Sequence, residues 1–315
     1  MMENLIKTRL VSICYAAKDI NLYELAPVNG EALPKAEAGA HIGIHLPNGL
    51  IRHYSLIKAE ENPQSYIIGV KRDKNSTGGS VYIHDKLKVG EILMIEPPKN
   101  TFPLNESAEE SVFFAGGIGI TPIFSMVSVL QSKGKNWKLF YACRTREEAA
   151  FYDELKNFSQ VNFHFDDEKG GVFDIASAVK SVSKKTHLYC CGPLPMMEAF
   201  EAYTRDFPPD QIHVEYFKPK EVKQEIKGGF IVELARSGKT FRIEEGQSIL
   251  SVLLHNGIDV PYSCTAGICG TCETVVLEGI PDHKDEVLSE VEKASNKKMM
   301  ICCSGAKTEK LVLDI

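Results

Sequence analysis

The sequence predicts a multidomain protein: a closed antiparallel β-barrel, then a parallel α/β sheet, then a small α+β module. Three observations carry this. Residues 1–103 read as many short strands separated by turns, with few helices. Residues 104–217 alternate strand and helix. Residues 228–315 open on a hairpin and hold four cysteines in a tight pattern. Between the last two, residues 218–227 are charged, contain a proline and lack an apolar face, so they read as a linker. A chain of 315 residues suits two or three domains.

The elements follow in order. Barrel strands are expected at Thr8–Tyr15, Ile20–Leu25, His41–Leu46, Arg52–Ile57, Ser65–Val70 and Ile92–Glu96, with turns at Asn48-Gly49, Asn62-Pro63 and Val89-Gly90. Parallel strands are expected at Ser111–Ala115, Lys138–Ala142, Val161–Phe165 and His187–Cys191. Helices are expected at Pro122–Gln131, Glu147–Lys156 and Pro195–Asp206. The last module begins with Phe230–Leu234 and Thr240–Ile243 around Ser237-Gly238, then a helix over Ser248–Asn256. No internal repeat or low-complexity tract interrupts this order.

Composition narrows the function. The chain is 43% apolar and 25% charged, the balance of a soluble globular protein, and no stretch approaches a membrane span. Met1 to Lys7 hold no apolar run, which predicts no secretion signal. Nine cysteines without such a signal point to a reducing, cytoplasmic setting and to metal or redox use instead of disulfides. A net charge of −6 argues against nucleic acid as a partner. Residues 228–315 hold 13 acidic and nine basic side chains, so an acidic module could be steered to a basic docking patch or simply be solvated.

Cys264, Cys269 and Cys272 stand in C-x4-C-x2-C, and Cys302 follows at a distance. This is the spacing by which plant-type ferredoxins hold a [2Fe–2S] cluster, in a β-grasp-like α+β fold. The residues between are small and uncharged, so the loop can wrap closely and turn backbone N–H groups toward sulfur. A structural zinc site would pair its ligands as two C-x2-4-C knuckles, and Cys302-Cys303 is not one. Neighbouring side chains in a strand point to opposite faces, so only one of Cys302 and Cys303 is expected to aim at the cluster. Cys14, Cys143, Cys190 and Cys191 fall on or at the ends of strands, as core residues do.

Two further signals precede the cysteines. Arg52-His53-Tyr54-Ser55 lies on a strand, and Gly78-Gly79-Ser80 opens a helix over Val81–Leu87. Arginine offers a rigid donor fork to phosphate, and a helix capped by Ser80 would turn free N–H groups to the same phosphate. Tyr54 could flank a flavin ring and Ser55 reach its polar edge. The second signal is a strand running into Gly116-Gly117-Ile118-Gly119-Ile120-Thr121-Pro122, with Thr121 expected as the helix N-cap and Pro122 at the first position. Pro122 stands where the last glycine of G-x-G-x-x-G belongs, so this is not the ordinary dinucleotide fingerprint. Cys191-Gly192-Pro193 ends another strand at the same edge, and Glu215 and Phe217 close the segment. Arg144 and Arg146 follow the second strand and meet either adenosine-side phosphates or solvent.

Taken in order, these motifs resemble the phthalate dioxygenase reductase and vanillate O-demethylase reductase family, which serves Rieske-type aromatic oxygenases. The resemblance covers essentially the whole chain. It implies an FMN-binding barrel over 1–103, an NAD-binding domain over 104–217 and a ferredoxin over 228–315. It implies FMN instead of FAD, NADH as donor, and Cys302 as fourth cluster ligand after the run Met299-Met300-Ile301. Thr121 and Phe217 would lie close to the flavin ring, Phe217 covering it until the nicotinamide displaces it. Glu215 would position the nicotinamide amide or serve a structural salt bridge. A nicotinamide gives up two electrons together and a [2Fe–2S] cluster accepts one, so the flavin stands between them. Plant-type clusters lie at about −400 mV, so the acceptor is expected to be a metal centre of higher potential in an oxygenase component. A diiron or haem monooxygenase is the alternative partner, and a non-catalytic redox sensor the alternative class. The chain is expected to act as a monomer.

Overall fold

The structure is a computed structural model that describes residues 5–73, 78–217, 229–262 and 264–315. They fall into two compact units, divided between Phe217 and Gly229. The expected linker, 218–227, lies outside the described residues. Among the described residues no helix is long and apolar enough to cross a membrane.

The first unit begins with β1 (Ile6–Ala17), β2 (Ile20–Pro27), β3 (His41–His45), β4 (Ile51–Ser55), β5 (Tyr66–Lys71), α1 (Gly79–Lys86) and β6 (Ile92–Ile95). The six strands form one antiparallel sheet in the order β4-β3-β6-β1-β2-β5. The sheet curls until its edges approach, where Leu56, just past β4, bridges Ile68 of β5. Alternation drives the curl: Leu10, Tyr23, Leu25, Ile42, Ile44, Ile68, Val70, Leu93 and Ile95 share one buried core.

The chain then builds β7 (Glu110–Gly116), α2 (Ile120–Ser132), β8 (Asn136–Cys143), α3 (Tyr152–Leu155), β9 (Val161–Phe165), α4 (Asp166–Lys169), α5 (Ile175–Lys180), β10 (His187–Cys191), α6 (Leu194–Thr204) and β11 (Ile212–Glu215). The five strands are parallel, in the order β11-β10-β7-β8-β9. Strands buried on both faces read as apolar runs, which Val112 to Ala115 and Leu188 to Cys191 are. Phe114 stacks on Phe140 at 5.3 Å and tilts against Phe200 at the same distance. Trp137, the chain's one tryptophan, is buried and donates Nε1 to Gln131 at 3.1 Å.

One expected helix is far shorter than the sequence suggests. Glu147–Lys156 resolves into a 3₁₀ turn at Arg146–Glu148 and a single helical turn, α3. Phe151 sits between them with φ +60°, a left-handed conformation that stops a helix, while its ring stacks on Phe124 at 4.1 Å.

The second unit has β12 (Phe230–Leu234), β13 (Thr240–Ile243), α7 (Ile249–His255), β14 (Glu273–Glu278), β15 (Pro281–Asp282), α8 (Glu290–Ser295), β16 (Lys298–Met300), β17 (Gly305–Ala306) and β18 (Lys310–Leu313). Its main sheet runs β13-β12-β18-β14-β16, with β12 and β18 parallel. Ser248 caps α7, accepting from the Ser251 N–H. Leu250, Leu253, Val276, Met299, Ile301, Leu311 and Leu313 pack between helix and sheet.

Phe114→Ala removes a ring at the centre of the parallel sheet and is expected to cost about 3–5 kcal/mol. Urea unfolding followed by far-ultraviolet circular dichroism checks this.

Candidate functional site

The first cluster of site residues lies at the mouth of the curled sheet. Arg52 crosses the start of α1: a Cβ on Gly79 would stand 2.5 Å from the Arg52 Nε. Gly78 caps the helix with φ +100°, which a glycine adopts freely. The expected Ser80 cap is therefore displaced. Ser80 lies inside the helix, and its hydroxyl accepts from the Asp73 N–H at 3.2 Å. A guanidinium against the positive end of a helix is repulsive unless an anion sits between them, so the arrangement fits a phosphate group. Alternation puts Arg52 and Tyr54 on one face of β4 and His53 and Ser55 on the other. His53 Nε2 lies 3.6 Å from Glu96 and His45 Nε2 3.5 Å from the same carboxylate, which stands over Gly43.

The second cluster is the carboxyl edge of the parallel sheet. From β7 the chain steps outward through β8 to β9 on one side, then crosses back to β10 and β11 on the other, so β7 and β10 flank the switch point where such sheets bind ligands. Two glycine turns meet there. A Cβ on Gly119 would stand 2.1 Å from the Cys191 carbonyl oxygen, and one on Gly116 2.4 Å from Pro193. A Cβ on Gly192 would stand 3.1 Å from the Gly116 Cα, and Gly117 turns with φ +54°. The expected Thr121 cap is also displaced. A 3₁₀ turn at Gly117–Gly119 starts the helix, Thr121 is its second residue, and its hydroxyl donates to Ile118 O at 2.9 Å. Pro122 costs nothing in that first turn, where its missing N–H would have had no partner.

The two clusters meet. Ser55 donates its hydroxyl to Glu215 Oε2 at 3.5 Å, and Glu215 lies beside Cys191 in register. Thr121 packs against Gly69 of β5, where a Cβ would stand 2.7 Å from its methyl group. A glycine inside a strand signals such a close approach, and Gly69 was legible only on that ground. Lys71 reaches Glu148 at 2.9 Å across the same seam. Thus Ser55, Thr121, Cys191 and Glu215 are gathered, while Phe217 is 37% exposed at the end of the unit. Burial raises the Glu215 carboxyl to about 8 against the opposing Ser55 hydrogen bond. The residue as a whole is partly exposed, but its carboxyl group is enclosed, and the enclosure sets the shift. Burial also raises the Cys191 thiol, with the neighbouring Glu215 adding to it.

The third cluster is the cysteine loop. The four thiols lie together: Cys264 interacts directly with Cys269, and Cys272 with Cys302, which also touches Cys303. Backbone N–H groups of Ala266 and Ile268 point at the Cys264 sulfur, and that of Gly267 at Cys302. Among the described residues no group of three His, Cys, Asp or Glu side chains is placed to hold a single metal ion. Two couples of thiols suit two irons with two thiolates each, and the inward N–H groups suit a negatively charged cluster. Gly267 and Gly270 have φ near +70°, which the tight wrap requires. The strand argument that only one of Cys302 and Cys303 can aim at the cluster does not hold, because β16 ends at Met300 and both cysteines lie in a turn. What separates them is placement: Cys302 is buried against Cys272, whereas Cys303 is only half-buried and its thiol turns to the Met300 carbonyl. Asp285 carries no motif that marks it beforehand. Its buried carboxylate accepts from the Val287 and Leu288 N–H groups, and Glu286 N donates to Gly267 O, bracing the loop from outside.

Residues 232–307 match the 2Fe-2S iron-sulfur cluster binding domain, and residues 113–202 the oxidoreductase NAD-binding domain. Tetrachlorobenzoquinone reductase of Sphingobium chlorophenolicum is 48% identical over 97% of each chain. Phenoxybenzoate dioxygenase subunit beta of Ectopseudomonas oleovorans is 46% identical over 98% of this chain and 97% of that one. The solved structure of phthalate dioxygenase reductase, described as modular for electron transfer from pyridine nucleotides to [2Fe-2S], aligns with TM-score 0.71 and 37% identity, covering 99% of this chain and 98% of that one. The chain belongs to the phthalate dioxygenase reductase family. Its three-part fold is the family's.

Two expectations follow. A carboxyl that stays protonated to about pH 8 when folded but ionises near 4.5 when unfolded makes stability fall as pH rises between those values. Glu215→Gln should therefore be more stable than the parent at pH 8 and about equal below pH 4.5, as denaturant midpoints across that range will read. Cys302→Ser should lose the visible absorbance and the reduced-state EPR signal of the cluster, whereas Cys303→Ser should keep both.

Proposed function

We propose that the chain is the NADH-dependent reductase component of an aromatic-ring oxygenase system, passing electrons one at a time to its oxygenase. The observation that carries this is the conjunction, in one chain, of an anion cradle, a glycine-lined nucleotide edge and two thiol couples, in the order of a full-length reductase relative. FMN suits the barrel, because Arg52 with Gly78, Gly79 and the start of α1 provides for one phosphate. Bound there, the flavin converts hydride transfer into single-electron transfer.

This chain's own residues then do the holding. Tyr54 and Ser55 border the flavin, and Thr121, Cys191 and Glu215 line the place where the nicotinamide enters. A neutral Glu215 can both donate and accept a hydrogen bond, which suits a carboxamide. Gly116, Gly117, Gly119, Gly192 and Pro193 keep side chains out of the dinucleotide's path. Phe217, partly exposed at the end of the unit, would cover the flavin until a nicotinamide displaces it. Cys264, Cys269, Cys272 and Cys302 hold the cluster. We assign residues 1–103, 104–217 and 228–315 to these three roles, and read the chain as a cytoplasmic monomer whose acceptor is a Rieske-type oxygenase.

A second reading has one observation behind it. The quinone reductase relative, at 48% identity, is named for a small-molecule acceptor. The two readings part at the exit. Heat should release FMN from the purified protein, and anaerobic NADH should bleach the cluster absorbance. Under the leading reading Cys302→Ser abolishes reduction of cytochrome c while sparing NADH oxidation by ferricyanide. If quinone reduction is fast in the parent and survives that substitution at full rate, electrons leave from the flavin and the second reading stands.

A further inference from the structure

The adenosine side of the nucleotide edge carries a feature that the function above leaves unused. β8 ends at Cys143 and runs into Arg144-Thr145-Arg146, and β9 ends at Phe165 and runs into Asp166-Asp167-Glu168. The Asp167 N–H donates to the Arg144 carbonyl at 3.1 Å, so the two segments lie side by side at the carboxyl edge. Ser55 and Glu215 stand at the β10–β11 end of that edge. A dinucleotide whose nicotinamide is there extends its adenosine toward β8 and β9.

Arg146 is fully engaged in this strip. Its guanidinium meets Glu168 through two parallel bonds, Nε to Oε1 at 3.0 Å and Nη2 to Oε2 at 2.9 Å. The remaining Nη1 donates to the Tyr152 hydroxyl, and the plane lies 4.8 Å from the Phe165 ring centroid and 5.1 Å from that of Tyr152. A bidentate fork is the geometry by which arginine takes a phosphate, and here a carboxylate holds it. Both partners are about half exposed, at 49% and 43%, so the pair contributes little to folding. Two further carboxylates, Asp166 and Asp167, flank it. In such sheets a carboxylate accepts from the 2′-hydroxyl of NADH, whereas a free arginine welcomes the 2′-phosphate of NADPH.

We propose that Glu168 is the coenzyme-specificity residue: by occupying the Arg146 fork and adding negative charge to the adenosine strip, it excludes the 2′-phosphate of NADPH. This rests on the nicotinamide reading above. The test uses the full-length holoprotein with ferricyanide as acceptor. In Glu168→Gln the ratio of kcat/KM for NADPH to that for NADH should rise at least about tenfold, the worth of one freed charge-assisted contact. The rise should vanish in Glu168→Gln combined with Arg146→Gln. An unchanged ratio in a folded Glu168→Gln protein overturns the proposal, and so does a rise that persists in the double variant. The parent protein gives an independent readout: 2′,5′-ADP should inhibit NADH oxidation at least about tenfold more weakly than 5′-ADP. Equal inhibition by the two overturns the proposal even if the variant fails to fold. A parent that oxidises neither coenzyme would instead remove the nicotinamide reading itself, and the proposal with it.

Discussion

The first unit depends on a steric constraint at the switch point of its parallel sheet. The turns after β7 and β10 approach so closely that Gly116, Gly119 and Gly192 have no room for a side chain. An alanine at Gly119 would stand inside contact distance of the Cys191 carbonyl. Because these turns close on one another, the edge above them is lined by backbone. Cys191 and Glu215 are held in register beside it. The seam with the curled sheet follows the same logic, since Gly69 makes room for Thr121 and Ser55 reaches Glu215. Close approach, and not a particular catalytic side chain, defines this site.

The cysteine loop solves a different problem with the same means. Four sulfurs must converge without closing on one point. Left-handed turns at Gly267 and Gly270 wrap the loop, and the N–H groups of Ala266, Gly267 and Ile268 aim inward. Asp285 ties down the neighbouring segment from outside. The loop's curvature, more than its composition, separates the thiols into two couples.

Much of this was legible in the sequence because it rests on local rules. Short strands set off by turn signals marked the barrel, the alternation of strand and helix marked the parallel sheet, and cysteine spacing marked the cluster. What was not legible depends on tertiary contact. Glu147–Lys156 has helix-forming residues throughout, yet the stacking of Phe151 on Phe124 holds Phe151 in a conformation no helix contains. Ser80 and Thr121 are good capping residues by type, but glycines one or two places earlier start both helices. The short strands after β13 were unmarked, because each pairs with a distant segment and carries little pattern of its own. Asp285 looked like any surface acid, since only its burial under the loop gives it a task.

Trp137 gives the molecule an internal division of signals. The chain's one tryptophan is buried in the parallel sheet, on a helix-facing strand of the nucleotide-binding part. The cysteine loop belongs to the other compact unit. Ultraviolet emission therefore follows the melting of one unit, and the long-wavelength visible absorbance of a bound cluster, beyond the flavin bands, follows the other. The two can be titrated in a single cuvette, so whether they unfold together or in sequence is written in two colours of light.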